Sequence, residues 1–245
     1  MTDLHTHILP QLDDGAESLE MACRMLRLQK GSGVDRVALT SHFYPLREEL
    51  EDYLKRRQQA YDLLMTAWDE LSMPSLRLGA EVRYSTQLTE LDLHLLALEG
   101  SDYLLLELSD TRLPSHLTEV VDRILMQGIT PIRAHVERCT YFRQEPDRLL
   151  ELIEIGALTQ VSAKALADKK DKKFAKACLD NGLAQMIASD AHDLSHRAPC
   201  LRNCVAALDR ETADSAEKFA LAIWNNEPIP AFGARRLKKT LLGYR

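Results

Sequence analysis

The sequence has no excess of positive charge and no long apolar run. Its 37 Asp and Glu outnumber its 31 Lys and Arg, which leaves a formal net charge of −6. Such a chain lacks the electrostatic attraction that non-specific binding to nucleic acid or to an anionic membrane requires. No apolar run approaches the roughly 18 residues of a membrane span, and the start of the chain lacks the residue succession of a signal peptide. We therefore expect no nucleic-acid partner and no membrane insertion.

Paired cysteines are also missing. The five Cys are odd in number, scattered along the chain and never spaced as C-x-x-C. A disulfide framework and a thiolate zinc site are therefore not expected, whereas a reducing, cytoplasmic location is. The sequence contains no linker, no low-complexity segment and no internal repeat of roughly 20–50 residues. One domain spanning residues 1–245 is the expected organisation.

Short apolar runs alternate with longer amphipathic segments along most of the chain. With 245 residues, of which 45% are hydrophobic, the chain can fill one sizeable core. The apolar runs predict strands that end near residues 4, 40, 80, 106, 134, 161 and 189. The amphipathic segments predict helices at about 17–31, 47–72, 87–98, 115–127, 146–155 and 168–181, with two more after residue 199. Seven strand–helix units match the size of a single α/β barrel better than an open sheet with two lobes.

Imidazoles and carboxylates follow the predicted strands. In chain order they are His5 and His7, His42, Glu81, Glu107, His135, and Asp190 with His192. In a barrel of parallel strands the carboxyl ends lie on one face, where active sites are built from the loops that follow the strands. We therefore expect these side chains to converge on one site.

The residue types in this set indicate divalent metal ions. Histidine and carboxylate ligands without cysteine suit manganese, iron or zinc. His5 and His7 are two residues apart on an extended chain, so both rings can project to the same side and bind one ion. Asp190 and His192 repeat this spacing, and the sequence Asp13-Asp-Gly supplies two further carboxylates in the loop after the first strand.

Several short motifs resemble those of the polymerase and histidinol phosphatase (PHP) superfamily. They are Asp3-Leu-His-Thr-His-Ile-Leu-Pro, Asp13-Asp-Gly-Ala, Thr40-Ser-His, Gly79-Ala-Glu, Leu105-Leu-Glu, Ala134-His-Val-Glu-Arg and Ala188-Ser-Asp-Ala-His. The motifs keep the order of the superfamily from residue 3 to about residue 197. More narrowly, the sequence resembles the CpsB/CapC-type metal-dependent protein tyrosine phosphatases of bacterial capsule and exopolysaccharide loci.

This resemblance implies a fold and a set of ligands. The fold is a distorted (β/α)7 TIM-like barrel, the PHP fold, and it holds three divalent metal ions that are usually manganese. The implied ligands are His5, His7, Glu81 and Asp190 for the first ion, Glu81, Glu107 and His135 for the second, and Asp14, His42 and His192 for the third. Asp13 is an alternative to Asp14, and Arg138 and Arg197 match the family's phosphate contacts.

The activity that the resemblance implies is that of a protein-tyrosine phosphatase. Its substrate would be a tyrosine-phosphorylated protein, such as a bacterial tyrosine autokinase. A phosphomonoester is a poor electrophile because its oxygens are anionic, so a catalyst must neutralise that charge and supply hydroxide at neutral pH. Several divalent ions do both, and attack by a metal-activated hydroxide forms no phosphoenzyme.

Two other functions stay open at the level of the sequence. A different phosphoesterase on the same scaffold would act on histidinol phosphate or on a nucleotide. A non-catalytic protein would use the barrel for metal binding or for docking a kinase. The set of nine potential ligands argues against the non-catalytic protein, because buried charged groups are costly to keep without a chemical use.

Overall fold

Short parallel strands alternate with helices along most of the chain. The computed structural model describes residues 1–237, 239–240 and 243–244. Its strands are β1 (Thr2–Thr6), β2 (Arg36–Leu39), β3 (His42–Phe43), β4 (Ser75–Leu78), β5 (Glu81–Arg83), β6 (Tyr103–Glu107), β7 (Thr130–Arg133), β8 (Leu158–Ser162), β9 (Met186–Ala188), β10 (Lys239–Thr240) and β11 (Gly243–Tyr244). Its α-helices are α1 (Leu19–Gly31), α2 (Leu50–Met65), α3 (Leu117–Met126), α4 (Thr140–Gln144), α5 (Asp147–Glu154), α6 (Lys172–Asp180), α7 (Leu201–Val205) and α8 (Arg210–Asn225).

Two of the barrel staves are interrupted strands. Strand β2 pairs with β4 through Leu39 and Leu78, and β3 pairs with β5 through His42 and Glu81, all in parallel. Both pairs have the same offset along the chain, so β2 continues into β3, and β4 continues into β5. Each interruption precedes a predicted ligand, and the short second piece carries that ligand at the carboxyl end of the stave.

The first and last staves close the barrel. The backbone N–H of Asp190 donates to His5 O at 2.9 Å, and the N–H of His7 donates to Ala191 O at 2.8 Å. The stave order is therefore β1, β2 with β3, β4 with β5, β6, β7, β8 and β9, followed again by β1. This closed parallel arrangement confirms the predicted (β/α)7 barrel.

Apolar burial on both sides of the staves explains their composition. Tyr103 to Leu106 of β6 are all buried, as expected for a parallel strand covered by helices on one face and by core residues on the other. Helix α8 packs on β1 and β9 with a buried face that includes Phe219 and Ile223. Its start is capped by Asp209, whose side chain accepts the N–H of Thr212 at 2.9 Å. Among the described residues no helix has the length and apolarity to cross a membrane.

The predicted helix at 87–98 is wrong. Residues 86–90 and 93–95 form two short 3₁₀ turns instead, and Leu91 between them is extended. The reason is local capping: Ser85 Oγ accepts the N–H of Gln87, and Asp92 Oδ1 accepts the N–H of His94. Each cap starts a new turn, so the apolar residues never join into one α-helix. The sequence prediction also missed α4, and it extended the second helix beyond its end at Met65.

A buried carboxylate ties three elements together below the carboxyl end of the barrel. Asp3 on β1 accepts the backbone N–H of Ser189, after β9, at 2.9 Å. Its other oxygen accepts a hydrogen bond from the side-chain amide of Gln29 on α1 at 2.7 Å, while Gln29 Oε1 has no hydrogen-bond partner within the described part of the chain. Asp3 therefore stabilises the closure between the first and last staves.

We predict that Asp3→Ala lowers the free energy of unfolding by about 2–4 kcal/mol, because it leaves two buried donors without an acceptor. Asp3→Asn should cost less than about 1 kcal/mol, since Gln29 can turn its amide and present Oε1 to the new Asn amide. The measurement is urea unfolding of both variants and the parent in excess chelator, so that metal binding does not contribute. Equal losses for the two variants would contradict this account.

Candidate metal centre

The predicted ligands meet at the carboxyl end of the barrel. His5 lies on β1 with His7 just beyond it, His42 and Glu81 begin β3 and β5, and Glu107 ends β6. The remaining ones, His135, Asp190 and His192, lie in the loops after β7 and β9. Most of these side chains are buried, His42 and Glu107 are half-buried, and Asp14 is exposed. The expectation that the groups converge on one face is therefore met.

The tightest group contains His5, His7, Glu81 and Asp190. The Nε2 atoms of the two histidines lie 3.1 Å apart, and they lie 3.1 Å and 3.2 Å from Glu81 Oε2. Asp190 Oδ1 is 3.5 Å from His5 Nε2 and 3.6 Å from His7 Nε2. Ligand atoms bound at about 2.1 Å to one ion stand about 3.0–3.4 Å apart, so these separations suit a shared divalent cation.

Contacts to the Nδ1 atoms of His5 and His7 fix the orientation of both rings. His5 Nδ1 lies 3.1 Å from Gln160 Oε1, and His7 Nδ1 lies 2.7 Å from Asp13 Oδ2. Because an amide or carboxylate oxygen only accepts, each Nδ1 must carry the proton, and in a neutral ring Nε2 then offers a lone pair. Two lone pairs and a carboxylate that point at one another are satisfied by a cation between them.

Asp13 and Asp14 have different surroundings. Asp13 Oδ2 also accepts the backbone N–H of His42 at 2.9 Å, and its Oδ1 accepts the N–H of Gly15 at 3.0 Å. Asp13 thus has both oxygens occupied, while Asp14 points outward with a side chain that is 61% exposed. The loop needs glycine at position 15, because a Cβ there would lie 2.0 Å from His7 O.

A second group forms around Glu81. His135 Nε2 lies 2.7 Å from Glu81 Oε1, and His42 Nδ1 lies 3.2 Å from Glu81 Oε2. Glu107 Oε2 is 3.9 Å from His42 Nδ1 and 3.0 Å from a guanidinium nitrogen of Arg83. Glu107 therefore groups with Glu81 and His42, and His135 reaches the group through Glu81.

A third group lies at the mouth of the site. Asp14 Oδ1 is 3.5 Å from His42 Nε2 and 3.5 Å from His192 Nε2. The rings of His7 and His192 are stacked with their centroids 3.7 Å apart, which brings His7 into the same cluster. His42 faces two groups, with Nε2 toward this one and Nδ1 toward Glu81.

Several buried polar atoms of these groups have no hydrogen-bond partner among the described residues. They are Glu81 Oε2, His42 Nδ1, His135 Nδ1 and His192 Nε2. Leaving a buried carboxylate oxygen unpaired is costly, and native proteins rarely do so without an ion or another partner. These atoms have the donor chemistry that divalent cations use, so the residues present fit metal ions.

Burial and charge shift the pKa values of the cluster. Burial disfavours the ionised form of Glu81, but the neighbouring His5 and His135 outweigh it and hold the Glu81 pKa well below its ordinary value. Burial lowers the pKa of His135 to about 3 and that of His42 to about 4, so both rings are neutral at pH 7.

His5 and His7 differ from these two histidines. Burial disfavours a charge on His7, but the Asp13 and Glu81 carboxylates outweigh it and raise the His7 pKa to about 10. Burial likewise disfavours a charge on His5, but Glu81 and Asp190 outweigh it and raise the His5 pKa. Because an imidazole binds a metal in its neutral form, these two rings would release protons when an ion binds.

Two predicted ligands have left-handed backbone. His135 has φ 35° and ψ 57°, and Asp190 has φ 54°. Non-glycine residues in this region cost on the order of 1–3 kcal/mol and persist only where the surroundings enforce them. Both positions directly follow a barrel stave, and the sharp turn there aims the side chain across the mouth of the barrel.

Two arginines border the cluster. Arg197 donates to both Asp190 oxygens at 2.7 Å and 2.8 Å, and Arg138 donates to Asp190 Oδ2. Their side chains are 30% and 33% exposed and line a cleft of about 650 Å³ that opens beside Asp190. Lys164 and His196 also line the cleft. The cleft thus joins the cluster to solvent past two guanidiniums with donors left for an anion.

Sequence reasoning missed the groups behind the histidines. Gln160 carries no signal, because a lone glutamine in a buried strand has no spacing that marks it. Asp13 was considered only as a substitute for Asp14, although its place in a D-D-G turn next to a His-x-His strand was the available clue.

Comparison with known proteins gives consistent relatives. The sequence matches the family model described as capsular polysaccharide synthesis, CpsB/CapC, over residues 1–229. It is 30% identical over 218 residues to the tyrosine-protein phosphatase CpsB of Streptococcus pneumoniae, covering 82% of this chain and 87% of that protein. It is 29% identical over 222 residues to the tyrosine-protein phosphatase YwqE of Bacillus subtilis, covering 86% of this chain and 85% of that protein.

A solved structure has the same fold. It is described as belonging to YwqE from Bacillus subtilis and CpsB from Streptococcus pneumoniae, unique metal-dependent tyrosine phosphatases. The TM-score is 0.86 at 23% sequence identity, and the match covers 97% of this chain and 100% of the other.

We predict that Asp13→Ala weakens the binding of Mn²⁺ about 10–100-fold, because His7 loses the carboxylate that fixes its ring and proton. The measurement is competition with a chromophoric chelator at constant pH. Glu17→Ala, an exposed change in the same loop, should bind as the parent does. An unaltered Mn²⁺ affinity in a folded Asp13→Ala variant would show that the carboxylate does not support the site.

Proposed function

The chain belongs to the capsular polysaccharide synthesis CpsB/CapC family, and we propose that it is a metal-dependent protein-tyrosine phosphatase. The observation that carries the proposal is the position of Asp190, which lies 3.5–3.6 Å from two histidines of the buried cluster and also accepts hydrogen bonds from Arg138 and Arg197 in the wall of the cleft. A cation cluster beside two anion-binding side chains is the chemistry that hydrolysis of a phosphomonoester needs. The names of the relatives CpsB and YwqE support phosphotyrosine as the ester.

We propose three divalent ions, with Mn²⁺ as the native metal and iron or zinc as substitutes. The proposed ligands are His5, His7, Glu81 and Asp190 for the first ion, Glu81, Glu107 and His135 for the second, and Asp14, His42 and His192 for the third. Distances of 3.1–3.6 Å within the first set give it the strongest support. When bound, such ions would neutralise phosphate oxygens and supply hydroxide at neutral pH.

The arginines bind and orient the phosphate. Asp190 holds the guanidinium of Arg197 with two hydrogen bonds and that of Arg138 with one, so both cations are kept at the edge of the cluster. Each guanidinium carries five N–H donors, and those not used by Asp190 are free to bind the equatorial oxygens of the phosphoryl group. Binding these oxygens keeps the phosphorus near the cluster while charge shifts to the leaving group.

The leaving group of phosphotyrosine needs little help from a general acid of the protein. A phenol has a pKa near about 10, so the departing phenolate needs less protonation than an alkoxide. The main task left to this chain is to position the phosphate. Arg138, Arg197 and Lys164 on the cleft wall serve this task.

The biological setting is part of the same proposal. We assign residues 1–245 to one PHP phosphoesterase domain, and the family match over residues 1–229 supports this. We propose a tyrosine-phosphorylated protein, a bacterial tyrosine autokinase in particular, as the partner. A cytoplasmic location suits the five free cysteines, since unpaired thiols are typical of a reducing compartment.

We predict that hydrolysis of a phosphotyrosine peptide stops after chelation and returns when Mn²⁺ is added. The assay compares this peptide with histidinol phosphate and a 3′-phosphorylated dinucleotide, and it tests manganese, iron and zinc one at a time. His42→Ala should abolish turnover while circular dichroism stays unchanged. Preference for one of the other esters would assign a different phosphatase activity, and no hydrolysis of any of them would favour a non-catalytic docking protein.

We predict that Arg197→Ala lowers kcat/KM for the phosphotyrosine peptide by about 10²–10³, a typical cost of losing one donor to a developing anionic centre. Arg197→Lys should recover only part of this loss, because an ammonium cannot make the paired contact of a guanidinium. Arg202→Ala, which changes an exposed arginine on α7, is the matched control. Full activity in Arg197→Ala with unchanged metal content would rule out a role in phosphate binding.

A further inference from the structure

A groove lies beside the metal cluster, next to His42 and Glu107. It has a volume of about 380 Å³ and is lined by Tyr44, Pro45, Leu46, Arg47, Arg83 and Tyr84. None of these residues lines the cleft that holds Arg138 and Arg197. The groove is therefore separate from the cleft that the proposed phosphatase activity uses.

The groove is continuous with the cluster at both ends. The ring of Tyr44 lies 5.2 Å from the ring of His42, centroid to centroid. On the other wall, Arg83 lies 3.0 Å from Glu107 Oε2. A substrate whose phosphate lies at the cluster would thus have the residues next to its phosphotyrosine within reach of the groove, since an extended chain advances about 3.3–3.6 Å per residue.

The walls of the groove are held in place. The backbone N–H of Arg47 donates to Tyr44 O at 2.8 Å, which closes a turn over Pro45 and Leu46. The Arg47 guanidinium lies over the Tyr44 ring at 4.7 Å. Opposite, the Tyr84 hydroxyl donates to Ser115 O at 2.6 Å. A preformed groove of this kind loses little conformational entropy when a ligand binds.

The charge of the groove is positive. Its lining contains two guanidiniums and no carboxylate. Arg83 is already paired with Glu107, whereas Arg47 is exposed and makes no ion pair within 4.0 Å among the described residues. The larger cleft differs, because Asp110, Asp168 and Asp171 stand in its wall with its cations. Arg47 is therefore the guanidinium that the groove offers to a ligand, because the charge of Arg83 is balanced by Glu107.

We propose that this groove is a specificity subsite that binds an acidic side chain one to three residues from the phosphotyrosine of the substrate protein. Arg47 forms the ion pair with the incoming carboxylate, and Arg83, held by Glu107, forms the opposite wall. Leu46, which is 73% exposed, packs against the methylenes of a bound glutamate. The inference rests on the proposed phosphatase activity and adds a preference among phosphotyrosine sequences.

The test compares two sets of phosphotyrosine peptides that differ only in Glu or Gln at the three positions on either side. The full-length, Mn²⁺-loaded protein is assayed as parent, as Arg47→Gln and as Arg210→Gln, which removes another exposed arginine, the first residue of α8. Free phosphotyrosine, which has no flanking residues, reports the basal activity of each protein.

We expect the parent and Arg210→Gln to prefer the Glu peptides about fivefold in kcat/KM, an effect in the range of a partly exposed ion pair. In Arg47→Gln the preference should fall to about one, with hydrolysis of free phosphotyrosine unchanged. The preference of the parent should also weaken at high salt.

Three results would overturn the subsite. The parent could hydrolyse Glu and Gln peptides equally, Arg47→Gln could keep the preference, or Arg47→Gln could lose activity on free phosphotyrosine to the same extent as on peptides. The last result would make the loop a structural support of His42. Failure of the parent to hydrolyse any phosphotyrosine compound would instead reject the proposed activity itself, together with the subsite.

Discussion

The buried carboxylate of Glu81 holds the carboxyl end of the barrel together. Its Oε2 lies within 3.2 Å of His5, His7 and His42, and its Oε1 lies 2.7 Å from His135. The side chain is only 1% exposed, so water does not solvate its charge. Neighbouring groups in the protein must therefore compensate the charge. Four imidazoles, from three parts of the chain, surround this carboxylate. Their nitrogen atoms are suited to binding divalent cations together with it. A neutral or displaced residue at position 81 would leave every one of these rings without its common partner.

The same region completes the fold. The hydrogen bonds that join the last stave to the first are made by the backbones of Asp190, His5 and His7, which also carry proposed ligands. Closure of the barrel and the geometry of the site therefore depend on the same residues, and Asp3 stabilises this closure through its hydrogen bond with Ser189. This coupling explains how the left-handed backbone at Asp190 is tolerated. The backbone strain at Asp190 is offset by hydrogen bonds and charge contacts. These form only when residues near the start of the chain contact residues near position 190.

Periodicity and residue type predicted the parts of this protein that depend on short-range pattern. The staves, and the convergence of the candidate ligands at their ends, followed from apolar runs interrupted by His, Asp and Glu, because a parallel barrel places all such ends together. The division of ligands into groups did not follow, since it depends on which nitrogen of His42 faces Glu81 and which faces Asp14. The role of Gln160 was likewise not predictable from the sequence, because it depends on a contact with His5, 155 residues away in the chain. The failed helix at 87–98 has a local cause, as two caps outcompeted an apolar pattern that looked helical.

Asp190 links the cluster of candidate metal ligands to the two arginines of the cleft. Its Oδ1 lies 3.5–3.6 Å from His5 and His7, and its two oxygens accept hydrogen bonds from Arg138 and Arg197. A single residue thus orders the cationic groups on both sides of the place where a phosphate would bind. With a neutral residue at position 190, the side chains of Arg138 and Arg197 would sample several rotamers in solvent. That rotamer entropy would then be lost each time a substrate binds. Because Asp190 already holds both guanidiniums in the folded protein, this entropy is lost during folding and not at each substrate binding. The closure of the barrel offsets the loss.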